Sequence, residues 1–366
     1  MIAAGLLFAA LLVAPGSEAA ARPSLASFAA TIGPADARAA IAGVVAIADA
    51  DGPRGKFLSE MISLRSGELR FRLEREESAS EFLYSDGAPW SRAEPGGPLQ
   101  RAAGDFTSFL RGHEVHRMLL DLETRFRPVA REAPAGCLPF AQPDGLAATI
   151  CATTPGAPPS TIELTLPDGA GGGTVTLELA DWRALHGVRL PFAVDFVHAG
   201  ERHTYRYTAV LPFRLSPGTS LPRDPEARFA RLGDFAALAL AHERALVAHR
   251  RSEVAGLAAD EAPASLSSGR GTLHDTGRDS LATRLGSYFA GVRFARYEDV
   301  AIPAIAVADD GSLGWLACAI EAAGETVAGD PGSAATPFEY AFSWVELYAR
   351  QEGRWLRVGN ASSARP

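Results

Sequence analysis

The stretch from Val188 to Phe213, VRLPFAVDFVHAGERHTYRYTAVLPF, constrains the fold of this chain more than any other. Phe192, Val194 and Phe196, and then Tyr205 and Tyr207, recur at every second position, so each run has one apolar and one wet face. A period of two belongs to half-buried strands. The same signal continues upstream in KFLSEMISLRS, ELRFRLERE and SEFLYSDGAPWSRA, which break at Ser66-Gly67 and Asp86-Gly87, the turn chemistry of consecutive hairpins. GLAATICATT, STIELTLPD and GTVTLELADWRAL add three more strands. Helical patterns are predicted over ADARAAIAGVVAIA from Ala35 and over about Asp105 to Phe126. So many antiparallel strands with helices inserted predict a curved sheet or half-open β-barrel wrapped on helices.

The pattern changes after SPGTSLPRDPEA, residues 216–227, which is rich in Pro, Ser and charge and reads as a linker. Beyond it, one long amphipathic helix is predicted from about Phe229 to Asp260 and a second over RDSLATRLGSYFAGV. Three strand segments follow, the last a long hairpin turning at Gln351-Glu352-Gly353. That order predicts an α+β cone with a bent sheet over helices. A length of 366 residues suits two such domains. The expected division is 22–215 for the curved sheet, 216–227 for the linker and 228–366 for the cone.

Residues 1–21 carry a short apolar run from Ile2 to Ala14, then Pro15-Gly16 and small residues ending in Ala19-Ala20-Ala21. This is the order of a cleaved signal peptide, and the run is too short to span a bilayer. A periplasmic or secreted location without stable membrane insertion is therefore expected. In such a compartment Cys137 and Cys151 can pair, because they lie symmetrically about Asp144 in a Pro143-Asp144-Gly145 turn and would face each other across a hairpin. Two reduced packing cysteines are the plainer alternative. Cys318, in the apolar LGWLACAIEA, reads as an inert core residue.

Two family resemblances rest on these segments. FLYSDGAPWSR, the inserted helix and GVRLPFAVDFVHAGERHTYRYTAV make residues 35–214 resemble the outer-membrane lipoprotein-sorting (LolA-like) group. ALAHERALVAHRRSEVAGLAADEA, DDGSLGWLACAIEA and WVELYARQEGRWLRVGNASS make residues 229–363 resemble the SnoaL-like, nuclear transport factor 2-like group. The second resemblance implies a bent sheet and helices enclosing an apolar cavity. Some members are isomerases, cyclases or dehydratases, and many others are non-catalytic binding or dimerisation modules. It carries no acid/base residue onto this sequence.

Charge and motifs exclude several classes. With 35 basic and 43 acidic residues the net charge is −8, opposite to what a phosphate backbone demands, so no nucleic-acid partner is expected. Lys56 is the only lysine, and nothing around it marks a tuned amine. There is no nucleophile elbow, dinucleotide fingerprint or P-loop, and no motif implies a cofactor.

The chemistry-bearing candidates are few. His113 and His116 in FLRGHEVHRMLL stand three apart on a helix, one residue short of the zinc-protease spacing, with Glu114 turned away. They read as helix histidines donating to neighbouring strands, on a segment that plugs or lids the curved sheet, with metal binding as the alternative. Alternation places Trp315, Ala317, Ala319 and Glu321 on one face, and Phe338, Tyr340, Phe342, Trp344, Glu346 and Tyr348 on another. If both faces line the cone, Tyr288, Trp315 and Trp344 form a ligand pocket, with Glu346 an acid whose pKa burial raises. Packing without a pocket is the alternative. His274-Asp275 is a weaker acid/base pair, read more simply as a solvated turn. These readings predict an exported binding protein that holds a hydrophobic small molecule or a lipid-bearing partner in a concave sheet or cone. An acid/base enzyme using Glu346 or His274, and a homodimerising module, remain alternatives.

Overall fold

The computed structural model describes residues 23–364 apart from 93, 95, 104–105, 143–145, 166–172, 270–271 and 328–334. The expected leader and the Pro143-Asp144-Gly145 turn lie outside the described residues.

Two short helices, α1 (Leu25–Ile32) and α2 (Ala35–Ala40), lead into a meander of β1 (Gly43–Gly52), β2 (Gly55–Leu64), β3 (Leu69–Glu74), β4 (Ala79–Ser85), β5 (Ala88–Arg92) and β6 (Gln100–Arg101). Three further helices, α3 (Phe106–His113), α4 (Val115–Leu120) and α5 (Leu122–Arg125), carry the chain to the far edge of the same sheet. There β7 (Arg127–Pro128), β8 (Cys137–Ala141), β9 (Ala147–Cys151), β10 (Thr161–Thr165), β11 (Thr174–Leu185), β12 (Val188–His198) and β13 (Glu201–Leu215) return to β1. The resulting order, β6-β5-β4-β3-β2-β1-β13-β12-β11-β10-β9-β8-β7, is antiparallel throughout. Cys137 faces Cys151 in the β8–β9 register and the two form a disulfide.

Two helical expectations are corrected here. The pattern from Ala35 stops at Ala40, and Gly43 onward is β1, held between β2 and β13. Val44 and Val45 are both fully buried although they point to opposite faces, so this strand reads as a continuous apolar run rather than an alternation. The single helix expected over Asp105–Phe126 is three short pieces. Gly112 explains one weak point: a Cβ there would lie 2.4 Å from the Phe196 ring, so close packing demands glycine, which weakens a helix. The helices pack on one face of the sheet. Leu110, Val115, Met118, Leu119 and Leu122 share one core with Phe71, Ile150, Leu177, Phe196 and Tyr205.

The second part begins earlier than the expected linker end. Asp224 caps α6 (Pro225–Arg251) by accepting from the Ala227 amide at 2.9 Å, and Pro225 occupies the first helical position. The helix ends where Ser252 turns left-handed (φ 56°), and α7 (Val254–Ala258) is separate. Then follow β14 (Glu261–Gly269), β15 (Thr272–Asp275), α8 (Arg278–Ala290), β16 (Val292–Asp299), β17 (Ala304–Val307), β18 (Leu313–Thr326), β19 (Thr336–Gln351) and β20 (Arg354–Ala364). The sheet runs β15-β14-β20-β19-β18, and β17 and β16 divide the free edge of β18 between them. Strands β14 and β15 fall where no strand is predicted.

The two sheets are stitched together. Arg214 and Leu215 at the end of β13 pair in parallel with Ala304 and Ile305 of β17. Helix α6 lies between the sheets: Phe229, Leu232 and Phe235 share one core with Val45, Ile62, Leu83 and Phe213 of the first sheet and with Ile305, Leu316 and Ile320 of the second.

Candidate functional site

Beneath the second sheet lies a line of buried charges. His242, near the middle of α6, directs Nδ1 at Glu346 Oε2 (3.3 Å) and Nε2 at both oxygens of Asp299 (3.2 and 3.0 Å). Glu346 also accepts from the Tyr348 hydroxyl (2.8 Å) and from Arg357 Nη1 (3.4 Å). Arg357 Nε donates to Glu261 (2.7 Å), which in turn accepts from the Ser265 hydroxyl. Signs alternate along the chain from Asp299 to Glu261, which is how charges survive burial.

Burial alone would hold His242 neutral, but Glu346 and Asp299 outweigh it and raise its pKa to about 10. Glu346 is the mirror case. Burial would raise it, yet His242 and Arg357 bring it down to about 2. This corrects the expectation of a raised Glu346: the side chain is fully buried but ionised, and serves as a counter-ion rather than a proton donor.

The other sequence candidates separate. Trp344 and Tyr288 belong to one aromatic row, with Tyr288 Oη 3.0 Å from Tyr340 Oη and Trp344 packed edge-on to Phe342 at 5.3 Å. Trp315 lies on the opposite face. Leu316, Cys318, Ile320 and Ala322 are the buried side of β18, while Trp315 is 37% exposed beside Leu347 on the outer surface. His274 sits on the exposed edge strand β15, away from the charged line. His113 and His116 diverge instead of sharing a ligand. His113 Nε2 meets the Tyr205 hydroxyl at 2.6 Å and its ring stacks on Phe196. His116 donates from Nε2 to the Pro191 carbonyl at 2.9 Å, and burial lowers its pKa to about 4. Glu114, without an evident role in the sequence, is buried and ion-paired with Arg125.

Among the described residues, one trio of potential metal ligands stands close: His242, Asp299 and Cys318, with ligand atoms within 4.8 Å of one another. Both imidazole nitrogens are committed to carboxylates and burial pushes the Cys318 thiol up, so the arrangement is that of an ion pair beside a protonated thiol.

His242 and Asp299 also line a cavity of about 250 Å³ between the two sheets. Its walls are Phe192, Val210 and Leu211 from the first sheet and Leu246, Ile305 and Leu316 from the second part. His186 enters from the tip of the β11–β12 hairpin. With Gly187 it makes the two-residue turn between Leu185 and Val188, both at positive φ (48° and 79°). The same positive-φ pair stands at Asp86-Gly87, Ala199-Gly200 and Glu352-Gly353, so the hairpin turn itself accounts for this backbone. Burial lowers the His186 pKa below its ordinary value despite the nearby Asp299 and Glu298. Glu243, also in the wall, is raised by burial against the pull of Arg250. The site therefore offers an imidazole whose pKa burial lowers, carboxylates and apolar side chains. His186, His242 and Asp299 come from three distant segments, and nothing in the sequence marks them as neighbours.

No protein-family model and no curated protein matches this chain. Solved structures similar to part of it include a ketosteroid isomerase-like protein from Erwinia carotovora atroseptica (19% identity, 36% of this chain, 97% of that one, TM-score 0.31). A nuclear transport factor 2-like protein from Cytophaga hutchinsonii (12%, 35% and 95%, TM-score 0.29) is another. A nuclear transport factor 2-like superfamily protein from Salmonella enterica serovar Typhimurium (13%, 37% and 92%, TM-score 0.31) is a third.

Proposed function

We propose that this chain is a small-molecule binding protein whose ligand occupies the cavity between the two sheets. The observation that carries the reading is a cavity lined both by apolar side chains and by polar ones, among them His186, Asp299 and Glu243. About 250 Å³ is just below the usual ~300–1,000 Å³ of ligand pockets, so the ligand is compact. Its apolar body would lie on Phe192 and Leu246, and a hydrogen-bonding or cationic group would meet the carboxylates. The helix-covered face of the first sheet, a carrier's pocket by the lipoprotein-sorting resemblance, is packed with helix side chains, which is why the ligand is assigned to the junction. Export belongs to the same proposal.

Ala209 lines the cavity from β13 and is only half-buried, so Ala209→Phe fills space without opening the core. In a fragment screen read by ligand-observed NMR, compact amphiphiles should bind the wild type and lose at least about tenfold in affinity for Ala209→Phe, or about 1.4 kcal/mol. Hits indifferent to that substitution would sink the assignment. A catalytic reading is favoured by one observation, the His186 imidazole, its pKa lowered by burial, in the cavity wall near Asp299. On that reading, conversion of a bound fragment falls about 10²–10⁴-fold in His186→Ala while its binding persists. Absence of any turnover leaves binding alone.

A further inference from the structure

A second, open cleft of about 490 Å³ lies on the other side of α6, and we infer that it binds a phosphomonoester-type dianion. The argument begins with charge. The chain as a whole carries −8, yet five arginines (Arg70, Arg72, Arg244, Arg350 and Arg354) line this cleft against three acids, Glu60, Asp234 and Asp260; Arg72 also pairs with Glu74 and Glu81 at its margin, and Arg354 has no carboxylate partner among the described residues. A local positive excess inside a negative protein focuses anions onto one place. Guanidinium groups match phosphate oxygens in geometry as well as charge.

The wall is built rather than incidental. Arg70 is nine-tenths buried, gives one N–H to Glu60 and leaves Nε without a partner. Its guanidinium lies 4.6 Å over the Phe229 ring and close above Gly233, where a Cβ would stand 3.4 Å from its central carbon. Arg350 is similarly backed by Trp355 at 5.1 Å, and bonds to Asp234. Stacking on aromatic faces fixes two cations that would otherwise swing in solvent. Along α6 the floor is Ala230, Gly233 and Ala237, small residues at helical spacing that keep the cleft open.

Titration calorimetry on the full chain tests this with three probes: inorganic phosphate, phenyl phosphate, and phosphatidylcholine vesicles doped with phosphatidic acid. Saturable binding that weakens with added salt is expected. Arg354→Gln and Ala230→Glu both alter exposed positions, and each should reduce affinity by about tenfold or more with the unfolding temperature preserved. Binding of the soluble probes assigns the group to a free phosphomonoester. Binding of the vesicles alone, abolished by both substitutions, assigns it to a lipid headgroup. No binding by any probe, or binding that both substitutions leave intact, overturns the inference, and neither result bears on the junction cavity.

Discussion

Glu346→Gln should lower the unfolding free energy by about 3–5 kcal/mol, because removing one carboxylate leaves His242 and Arg357 buried with too little countercharge. The pH dependence gives a sharper signature. Burial would raise Glu346, but its cationic partners hold it at about 2 in the folded protein against an ordinary 4.5, so its contribution is present above 4.5 and is lost as pH falls through about 2. His242 works in the opposite sense. Burial would depress it, but the two carboxylates raise it from 6.5 to about 10, so its contribution is full below 6.5 and disappears as pH rises through about 10. Both are at full strength only between 4.5 and 6.5. Urea unfolding of wild type and variant across pH should therefore show the widest gap in that window and a narrowing gap toward pH 10. His116, lowered to about 4 by burial, weakens both proteins as pH falls below 6.5 and cancels in the difference, whereas His249, also lowered to about 4, feels Glu346 and titrates differently in the variant. A gap below about 1 kcal/mol, or one flat with pH, would show that the charges do not support one another.

An effect of similar size is expected at Arg117, one of the largest fully buried side chains among the described residues. Its guanidinium grips Asp121 with Nε and Nη2 (2.6 and 2.7 Å) and donates from Nη1 to the Ile41 carbonyl (2.8 Å). Arg117→Met keeps most of the volume but strands the Asp121 carboxylate, leaving it Arg65 at 3.5 Å, and deprives Ile41 of its donor. The loss should reach about 3–5 kcal/mol by chemical denaturation. Arg117→Lys retains the charge and loses the two-pronged grip, so about 1–2 kcal/mol is expected. If the methionine variant is as stable as the lysine one, the ion pair contributes nothing that packing does not.

Local pattern made some of this legible. The symmetric spacing of Cys137 and Cys151 about a turn placed them opposite each other, and alternation found the face of β19 that carries Trp344 and Glu346. In β18 alternation failed for a physical reason. LGWLACAIEA is apolar on both faces, so period two cannot choose between Trp315 and Leu316, and the larger residue is the exposed one. The Glu346 pKa is not legible in its own strand because its partners, His242 and Arg357, come from a helix and another strand. His186 is a similar case. Its role follows from where a two-residue hairpin ends in space, and a Leu-His-Gly-Val turn says nothing about the helix it will meet.

The position of α6 bears on how the molecule comes apart. Val45, Ile62, Leu64, Leu83 and Phe213 on the back of the first sheet are covered by this helix, which also anchors the second sheet. A chain cut at residues 216–224 would leave that surface wet, and neither fragment would retain a complete interior. Scanning calorimetry should accordingly record a single heat-absorption peak, with the two sheets melting as one cooperative unit in spite of the proline-rich segment that joins them.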